Sequence, residues 1–499
     1  MKSFSPRTLL VLLIALGAIS VLANRTLPLV RNSLVYASAS QHVIEHDYDP
    51  RPVVADSKLS YDKPILYAWV SAPFVRWLGS HDGLRLTSFL GTVAYLLAAL
   101  YFARSFRASL PDASEASVPG GSESMLLWLS ALGPCVVYQF WSAHPDGWFA
   151  ALVVLAWALA HRIVVEPDLH GIRRLVALGV VIYVSILLKN YGLILLIACP
   201  LYFTWNLRTL RAAREHFRGM LLTAIVIFAL IGVLVLLAWT GHHPLSRLEG
   251  EGGGVGQYAT GELARSLRGT WVQLGLALLI QFQIALVFAF RRAAWTRELI
   301  APLVCLGGTY VAGLMPFPTT FYNMRYFVPL FPLAALVLVR GMSAFAPVMR
   351  RALFVAHAVA GIALIVVFNC EPAYRAAEPA IPLLEVNWIG VPLSLLDNLR
   401  MRLHVQQADV LANIDREVPA GATLYMMDVV YYGDAQQGVF ERAGRIRSDI
   451  AIHYVSRRDL HPSEPTFFVW SFFPARPPLE PFGRVTDLGQ SLYRVEKSG

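Results

Sequence analysis

The residues of this chain best suited to chemistry are few and widely spaced. Only five of its 42 basic residues are lysine. Two of them, Lys63 in "YDKPILYAWV" and Lys189 in "LLKNYGLILL", stand at the edge of apolar runs. Arg85 in "GLRLTSF" and Arg325 in "RYFVPLF" stand at similar edges. Lysine binds phosphate as a point charge, so cations at such boundaries suit a lipid-linked phosphate. Carboxylates are near them in the sequence pattern. Asp62 adjoins Lys63, Asp56 lies just upstream, and Asp146 follows a proline in "HPDGWFAALVV". A carboxylate at a membrane boundary is costly unless it is used or paired. It can orient a sugar or an acceptor hydroxyl, or pair with a cation. Each residue also has a plainer reading. Lys63 and Arg325 can snorkel beside interfacial aromatics, Lys189 can be a topology charge, and Asp146 can be a helix N-terminal Asp favoured by the dipole. His242 and His243, with Asp62, are weak candidates for a divalent cation, since adjacent loop histidines are usually just solvated. No organic cofactor is implied.

The elements that must carry these residues are membrane spans. Of 499 residues, 56% are hydrophobic and only 15% charged, where a soluble protein carries about 25% charged. The net charge of +9 does not point to nucleic acid, because the arginines cluster in short loops between apolar runs, where they set topology. Cys135, Cys199, Cys305 and Cys370 show no metal or redox spacing. With roughly 20 apolar residues per span, eleven are expected, at 8–24, 83–103, 124–141, 146–163, 174–190, 191–206, 219–240, 271–290, 298–315, 326–340 and 351–368. The first is read as an uncleaved helix rather than a signal peptide. Loops rich in arginine, such as Arg208 to Arg218 and Arg291 to Arg297, fall on one side, which the positive-inside rule makes cytoplasmic. The N-terminus is then cytoplasmic and the tail outside.

The expected fold is a polytopic α-helical membrane protein of about 11 spans, with amphipathic outer-loop helices and a C-terminal α/β soluble domain. Residues 1–368 form the membrane domain and residues 369–499 the outer domain. Within the first, the outer loop 25–82 carries two stretches read as interfacial helices, Asn32–Asp47 and Ile65–Leu78. In the tail, "ADVLANIDREVPAGATLYMMDVVYYG" reads as amphipathic helix, turn and strand, and "PTFFVWSFF" and "QSLYRVEK" as further strands.

These residues also carry a resemblance. "YDKPILYAWV" resembles the F-[ED]-K-P-[PI] stretch of the aminoarabinose transferase and protein O-mannosyltransferase-related family, within the GT-C superfamily of membrane glycosyltransferases. "GLRLTSFLGTVAYLLAAL", "HPDGWFAALVVLAWALA", "LLKNYGLILLIACPLYF" and "RYFVPLFPLAALVL" resemble later segments of that family, in its order, over about residues 30–340. The resemblance implies transfer of a sugar from a polyprenyl-phosphate donor to a lipid or glycan acceptor, on the outer face of a bacterial inner membrane. Lipid A and other cell-envelope glycans are the acceptors it suggests. It implies Lys63, Arg85, Lys189 and Arg325 as donor phosphate contacts, Tyr36 and Tyr326 as positioning residues, and Asp62, Asp146 and Asp56 as candidate acids. With Tyr36 set on the tyrosine of the family's D-E-x-x-Y motif, Asn32 and Ser33 replace its Asp and Glu. An amide cannot take a proton at neutral pH, so either another carboxylate serves or the acceptor is already anionic.

Two other readings stand beside this one. A transporter or flippase of lipid-linked sugars would more often show repeated halves and mid-membrane charges, whereas here the charged candidates gather at one face. A non-catalytic subunit of glycan assembly fits the missing acid at Asn32. The arginine pattern generates a direct expectation: reporter fusions after Arg218, Arg297 and Arg351 read as cytoplasmic, and fusions within 25–80 or 380–499 as external. A cytoplasmic tail would separate the candidate residues from a common face.

Overall fold

The computed structural model describes residues 5–30, 32–51, 65–110, 121–166, 170–212, 214–239, 262–315, 324–377, 385–388, 391–394, 401–427, 447, 449–455, 460–471 and 477–497. The chain divides into two compact units. One comprises Met1–Asn24, Asp62–Tyr67 and Arg85–Leu399; the other comprises Arg25–Tyr61, Ala68–Leu84 and Arg400–Gly499. Of residues 25–82, Asp62–Tyr67 fall in the first unit and the rest in the second.

The first unit is mainly helical. Helix α1 (Pro6–Ala23) begins at Ser5, whose hydroxyl accepts the Thr8 amide at 3.1 Å, with Pro6 in the first turn where its missing N–H costs nothing. Between them α2 (Asn32–Glu45) and the first part of α3 (Leu66–Ser105) supply helices of the second unit. Helix α3 breaks at Gly79, where φ is +80°. A residue without a Cβ takes that conformation freely, so the amphipathic stretch and the span that follows are two helices joined at this glycine. The membrane part continues through α4 (Gly121–Ala131), α5 (Pro134–Trp141), α6 (Asp146–Val165), α7 (His170–Leu188), α8 (Leu195–Trp205), α9 (Arg214–Trp239), α10 (Glu262–Phe282), α11 (Glu298–Leu314), α12 (Phe331–Met342) and α13 (Pro347–Asn369).

Among the described residues, eight helices are long and apolar enough to span a bilayer, or nine if the pair α4 and α5 counts as one. The eleven expected positions fall on apolar helical segments, but five are irregular: besides the three described next, 271–290 ends in a 3₁₀ turn, Gln283–Phe290, and 326–340 begins in another, Met324–Leu330. The pair α4 and α5 is bent by 67° at Gly133 and Pro134, while 190–205 and 298–314 are short apolar helices. Proline explains the first bend, since it cannot continue an i→i−4 ladder. The segment 190–205 begins with a 3₁₀ turn at Asn190–Ile194, and 298–314 contains a π turn at Pro302–Gly308. Apolar composition identifies such segments but does not reveal that their backbone changes pitch.

The second unit contains the tail sheet. Helix α14 (Met401–Glu417) precedes β3 (Thr423–Met427), and the order across the five-stranded sheet is β4 (Ala451–Val455), β3, β5 (Thr466–Ser471), β7 (Leu492–Glu496), β6 (Arg484–Asp487). The shorter strands β1 (Glu385–Trp388) and β2 (Val391–Ser394), which fall in the first unit, pair with each other. Strand β3 is parallel to β4 and β5, while β7 is antiparallel to β5 and β6, giving a mixed sheet. All five residues of β3 are buried, which is why "TLYMM" lacks the alternation of a half-exposed strand. One face packs Tyr425, Met427, Phe467, Val469, Tyr493 and Val495 into a core. The helix, turn and strand expected over 408–433 and the strands expected over 465–473 and 490–497 appear, within the described residues, as α14, β3, β5 and β7.

Glu464 ties this sheet at its edge of entry. It accepts from the hydroxyls of Thr423 (3.0 Å) and Tyr425 (2.9 Å) and from the amide of Ser463 (3.0 Å). Desolvation pushes this carboxyl up, but these bonds and its backbone bond outweigh it and hold the group at about 2, against an ordinary 4.5. A depressed carboxylate adds stability that is fully present above its unfolded value and is lost as pH falls through its folded value. The tail sheet is therefore expected to loosen between about pH 4.5 and 2, and Glu464→Gln to flatten that dependence. Protease resistance of the tail, followed against pH in the full chain, measures both.

Candidate functional site

Helix α6 starts at Asp146, and the backbone before it is tightly fixed. Ala143 has φ +58°, a left-handed conformation that costs a residue with a Cβ. The Ser88 hydroxyl of α3 lies 2.7 Å from the carbonyl of Gln139 and 3.1 Å from that of His144, and so pins both sides of the bend. Trp148 donates to the Thr87 carbonyl at 2.8 Å. Helices α3 and α6 touch backbone to backbone here: a Cβ on Gly147 would lie 2.7 Å from the Thr92 hydroxyl and 2.8 Å from its amide nitrogen. Asp146 is thus placed by main-chain packing rather than by a flexible loop.

Lys189 follows the last residue of α7 with an extended backbone (φ −154°, ψ 136°), and the chain then re-enters as the 3₁₀ turn before α8. Gly192 makes that re-entry feasible, since a Cβ there would lie 2.5 Å from the amide nitrogen of Ile186. Arg325 comes from a second 3₁₀ turn, Met324–Leu330, immediately before α12. These three residues, far apart in sequence, converge. Lys189 Nζ bonds Asp146 Oδ1. Arg325 Nη1 lies 3.0 Å from Asp146 Oδ2, at ion-pair distance though off the line of a hydrogen bond. The three side chains are buried: 3% exposed for Asp146 and Arg325, 10% for Lys189. Two positive charges and one negative leave a net charge of +1.

Aromatic rings enclose the lysine. Its Nζ lies 4.5 Å from the centroid of Tyr326, 5.8 Å from Tyr191 and 6.0 Å from Phe149. The guanidinium of Arg325 lies 5.3 Å from the Tyr326 ring, and Tyr191 and Tyr326 meet edge to face at 5.2 Å. The electron-rich faces of these rings favour a cation that has lost water. Tyr310 donates to the Tyr326 carbonyl at 2.9 Å and steadies the turn that carries Arg325. Tyr191 and Phe149 escaped the sequence reading. Their spacing held the signal, since Tyr191 is two residues beyond Lys189 and Phe149 one helical turn beyond Asp146.

The other expected residues are placed differently. Arg85 is buried, donates to the carbonyl of Asn24 at the end of α1, and lies 5.8 Å from the ring of Trp141. Asn24 also donates to the Asn369 carbonyl at 2.7 Å, and Trp141 donates to the Asn369 side chain at 3.0 Å. Arg85 therefore belongs to a network joining the ends of α1, α5 and α13. Tyr36 is buried in α2, in the other unit. Asn32 opens α2. Asp56, Asp62, Lys63, His242 and His243 lie outside the described residues. Among the described residues no group of three or more His, Cys, Asp or Glu comes together as a metal site would require.

No protein-family model matches the chain, and no curated protein is significantly similar to it. Solved structures do match. ArnT from Cupriavidus metallidurans in the apo state aligns over 97% of both chains with a TM-score of 0.55 and 14% identity. The chain shares the fold of this ArnT structure. The same ArnT bound to undecaprenyl phosphate gives a TM-score of 0.49 at 14% identity, again over 97% of both chains. The oligosaccharyltransferase of Archaeoglobus fulgidus with zinc and sulfate gives 0.45 at 13% identity, covering 88% of this chain and 62% of that one. Within this fold, the buried cluster of Asp146, Lys189 and Arg325 joins three of the segments that carry the sequence resemblance.

Removing one member of a buried ion pair leaves an uncompensated charge and costs about 3–5 kcal/mol. Asp146→Asn is expected to destabilise the folded protein by that order, as measured by chemical unfolding in detergent. The double variant Asp146→Asn with Lys189→Met is expected to lose less than the single one, because one stranded charge is gone.

Proposed function

We propose that this protein is a glycosyltransferase that moves a sugar from a polyprenyl-phosphate donor to a lipid or glycan acceptor on the outer face of the cytoplasmic membrane. The observation that carries this reading is the net-positive, aromatic-lined cluster of Asp146, Lys189 and Arg325, set in a GT-C fold. In such a transfer the acceptor oxygen attacks the anomeric carbon, the bond from that carbon to the phosphate oxygen breaks, and its electrons leave with the polyprenyl phosphate. The donor is a monoanionic diester and the leaving group a monoester whose charge grows along the reaction. Fixed positive charge stabilises the second state more than the first, which is what accelerates the step.

In this reading Lys189 and Arg325 face the phosphate, with Lys63 as a third contact. Asp146 holds its two cations in register and keeps their repulsion in check. Its oxygens are engaged by those cations, so the acceptor's proton goes elsewhere, to Asp62 or Asp56 of the first outer loop, or is absent because the acceptor is already anionic. Arg85, bonded to the end of α1, supports that helix end rather than the phosphate. Tyr326 fixes Lys189 by ring contact.

The test is transfer from polyprenyl-phosphate sugars by membranes containing the protein. Losing a charge-assisted hydrogen bond costs about 1.5–3 kcal/mol, which is about one to two decades in rate. Lys189→Ala is expected to lower transfer at least tenfold with expression unchanged, and Arg325→Ala likewise. Full activity in both variants would leave the cluster a purely structural ion pair. No transfer by the wild type with any polyprenyl sugar of the host would favour the non-catalytic reading.

A further inference from the structure

The segment Leu27–Val30, between α1 and α2, runs buried with almost no exposure. It belongs to no helix or strand, so its carbonyls need donors from elsewhere. Two histidines supply them at consecutive residues. His81, two residues past the Gly79 break of α3, lies with Nε2 2.8 Å from the Leu27 carbonyl. His404, in the first turn of α14, lies with Nδ1 2.7 Å from the Pro28 carbonyl and is itself fully buried. A carbonyl only accepts, so each ring presents an N–H there.

His81 is held from its other side. Its Nδ1 lies 2.9 Å from Asp82 Oδ1, and Asp82 Oδ2 takes Arg25 Nη2 at 2.8 Å. A carboxylate also only accepts, so in this arrangement both ring nitrogens carry protons. The carboxylate of Asp82 is shared between the imidazolium and the guanidinium. Arg25 stands two residues before Leu27, so the segment is tied both through its backbone and through its own side chain.

From these contacts we infer that His81 and His404 form a clasp on the segment 27–30, and that the tail domain, through His404, sets where α2 begins. The Ser33 amide donates to the Val30 carbonyl at 3.0 Å, so the first turn of α2 is built on the clasped residues. Asn32, Ser33 and Tyr36 lie in that turn and the next. His81 and His404 are therefore positioning residues. All the groups concerned belong to one compact unit. The clasp stands on geometry alone; only the importance of what it positions rests on the glycosyltransferase reading, so a failed transfer assay does not bear on it.

Amide hydrogen exchange of the full chain in nanodiscs, read by mass spectrometry, tests the clasp. In His404→Ala, exchange in 32–45 is expected to speed up at least tenfold while β3 and β5 stay within about twofold. His81→Ala should show the same pattern. In His404→Asn the side-chain amide can donate from nearly the position of Nδ1, and protection of 32–45 should return. Unchanged protection in both alanine variants would overturn the inference. So would equal loosening of 32–45 and the tail strands, which would make His404 a general support of the unit. A His404→Asn variant as loose as His404→Ala would also overturn it, since the bond to Pro28 would then not be what holds the segment.

Discussion

One carboxylate with two cations organises the interior of the membrane unit. Asp146 in an apolar bundle cannot stand alone, and neither can Lys189 or Arg325, because desolvating an isolated charge costs several kcal/mol. Each makes the others tolerable, so the start of α6, the junction of α7 with α8 and the turn before α12 have to meet. Two of these three places are 3₁₀ turns rather than continuous α-helix. Lys189 leaves α7 on an extended backbone and Arg325 sits in its 3₁₀ turn, while the left-handed Ala143 and the Ser88 hydroxyl hold Asp146 against them.

A second buried cation meets its need by another route. Arg85 has the end of α1 for its acceptor and a tryptophan ring beside it. A helix C-terminus carries partial negative charge and spare carbonyls, so the helix end itself serves as the counter-charge. The two arrangements differ in what they leave over. The Asp146 cluster keeps an excess positive charge, whereas Arg85 joins a network of asparagine, tryptophan and backbone groups that binds three helix ends together.

Much of this was legible beforehand, for identifiable reasons. Apolar run length marks where helices cross, and alternation or its absence marks β3, β5 and β7. Scarcity singled out Lys189, and cost singled out Asp146, because a lysine or carboxylate at a bilayer edge is rarely idle. What sequence does not carry is the pairing itself. Asp146 and Lys189 are 43 residues apart, and nothing local links them. The partner of Arg85 left no trace either, since it is a main-chain carbonyl that any residue would supply. His404 lies just before the stretch read as an amphipathic helix; its meaning comes from Pro28, 376 positions earlier.

That separation has a consequence for how the protein is made. Chains are synthesised at about 5–20 residues per second, so Pro28 waits roughly 20–75 seconds before His404 exists. Every span has left the ribosome before the tail helix can arrive. During that interval the segment 27–30 must do without one of its two histidine donors, while the buried cluster of Asp146, Lys189 and Arg325 can already assemble once α12 is in place. A chain cut short after α13 would therefore keep its charged interior yet leave the start of α2 loosely held. Biosynthetic order makes the tail helix the last piece of the clasp: the segment 27–30 becomes fully held only in molecules translated past His404.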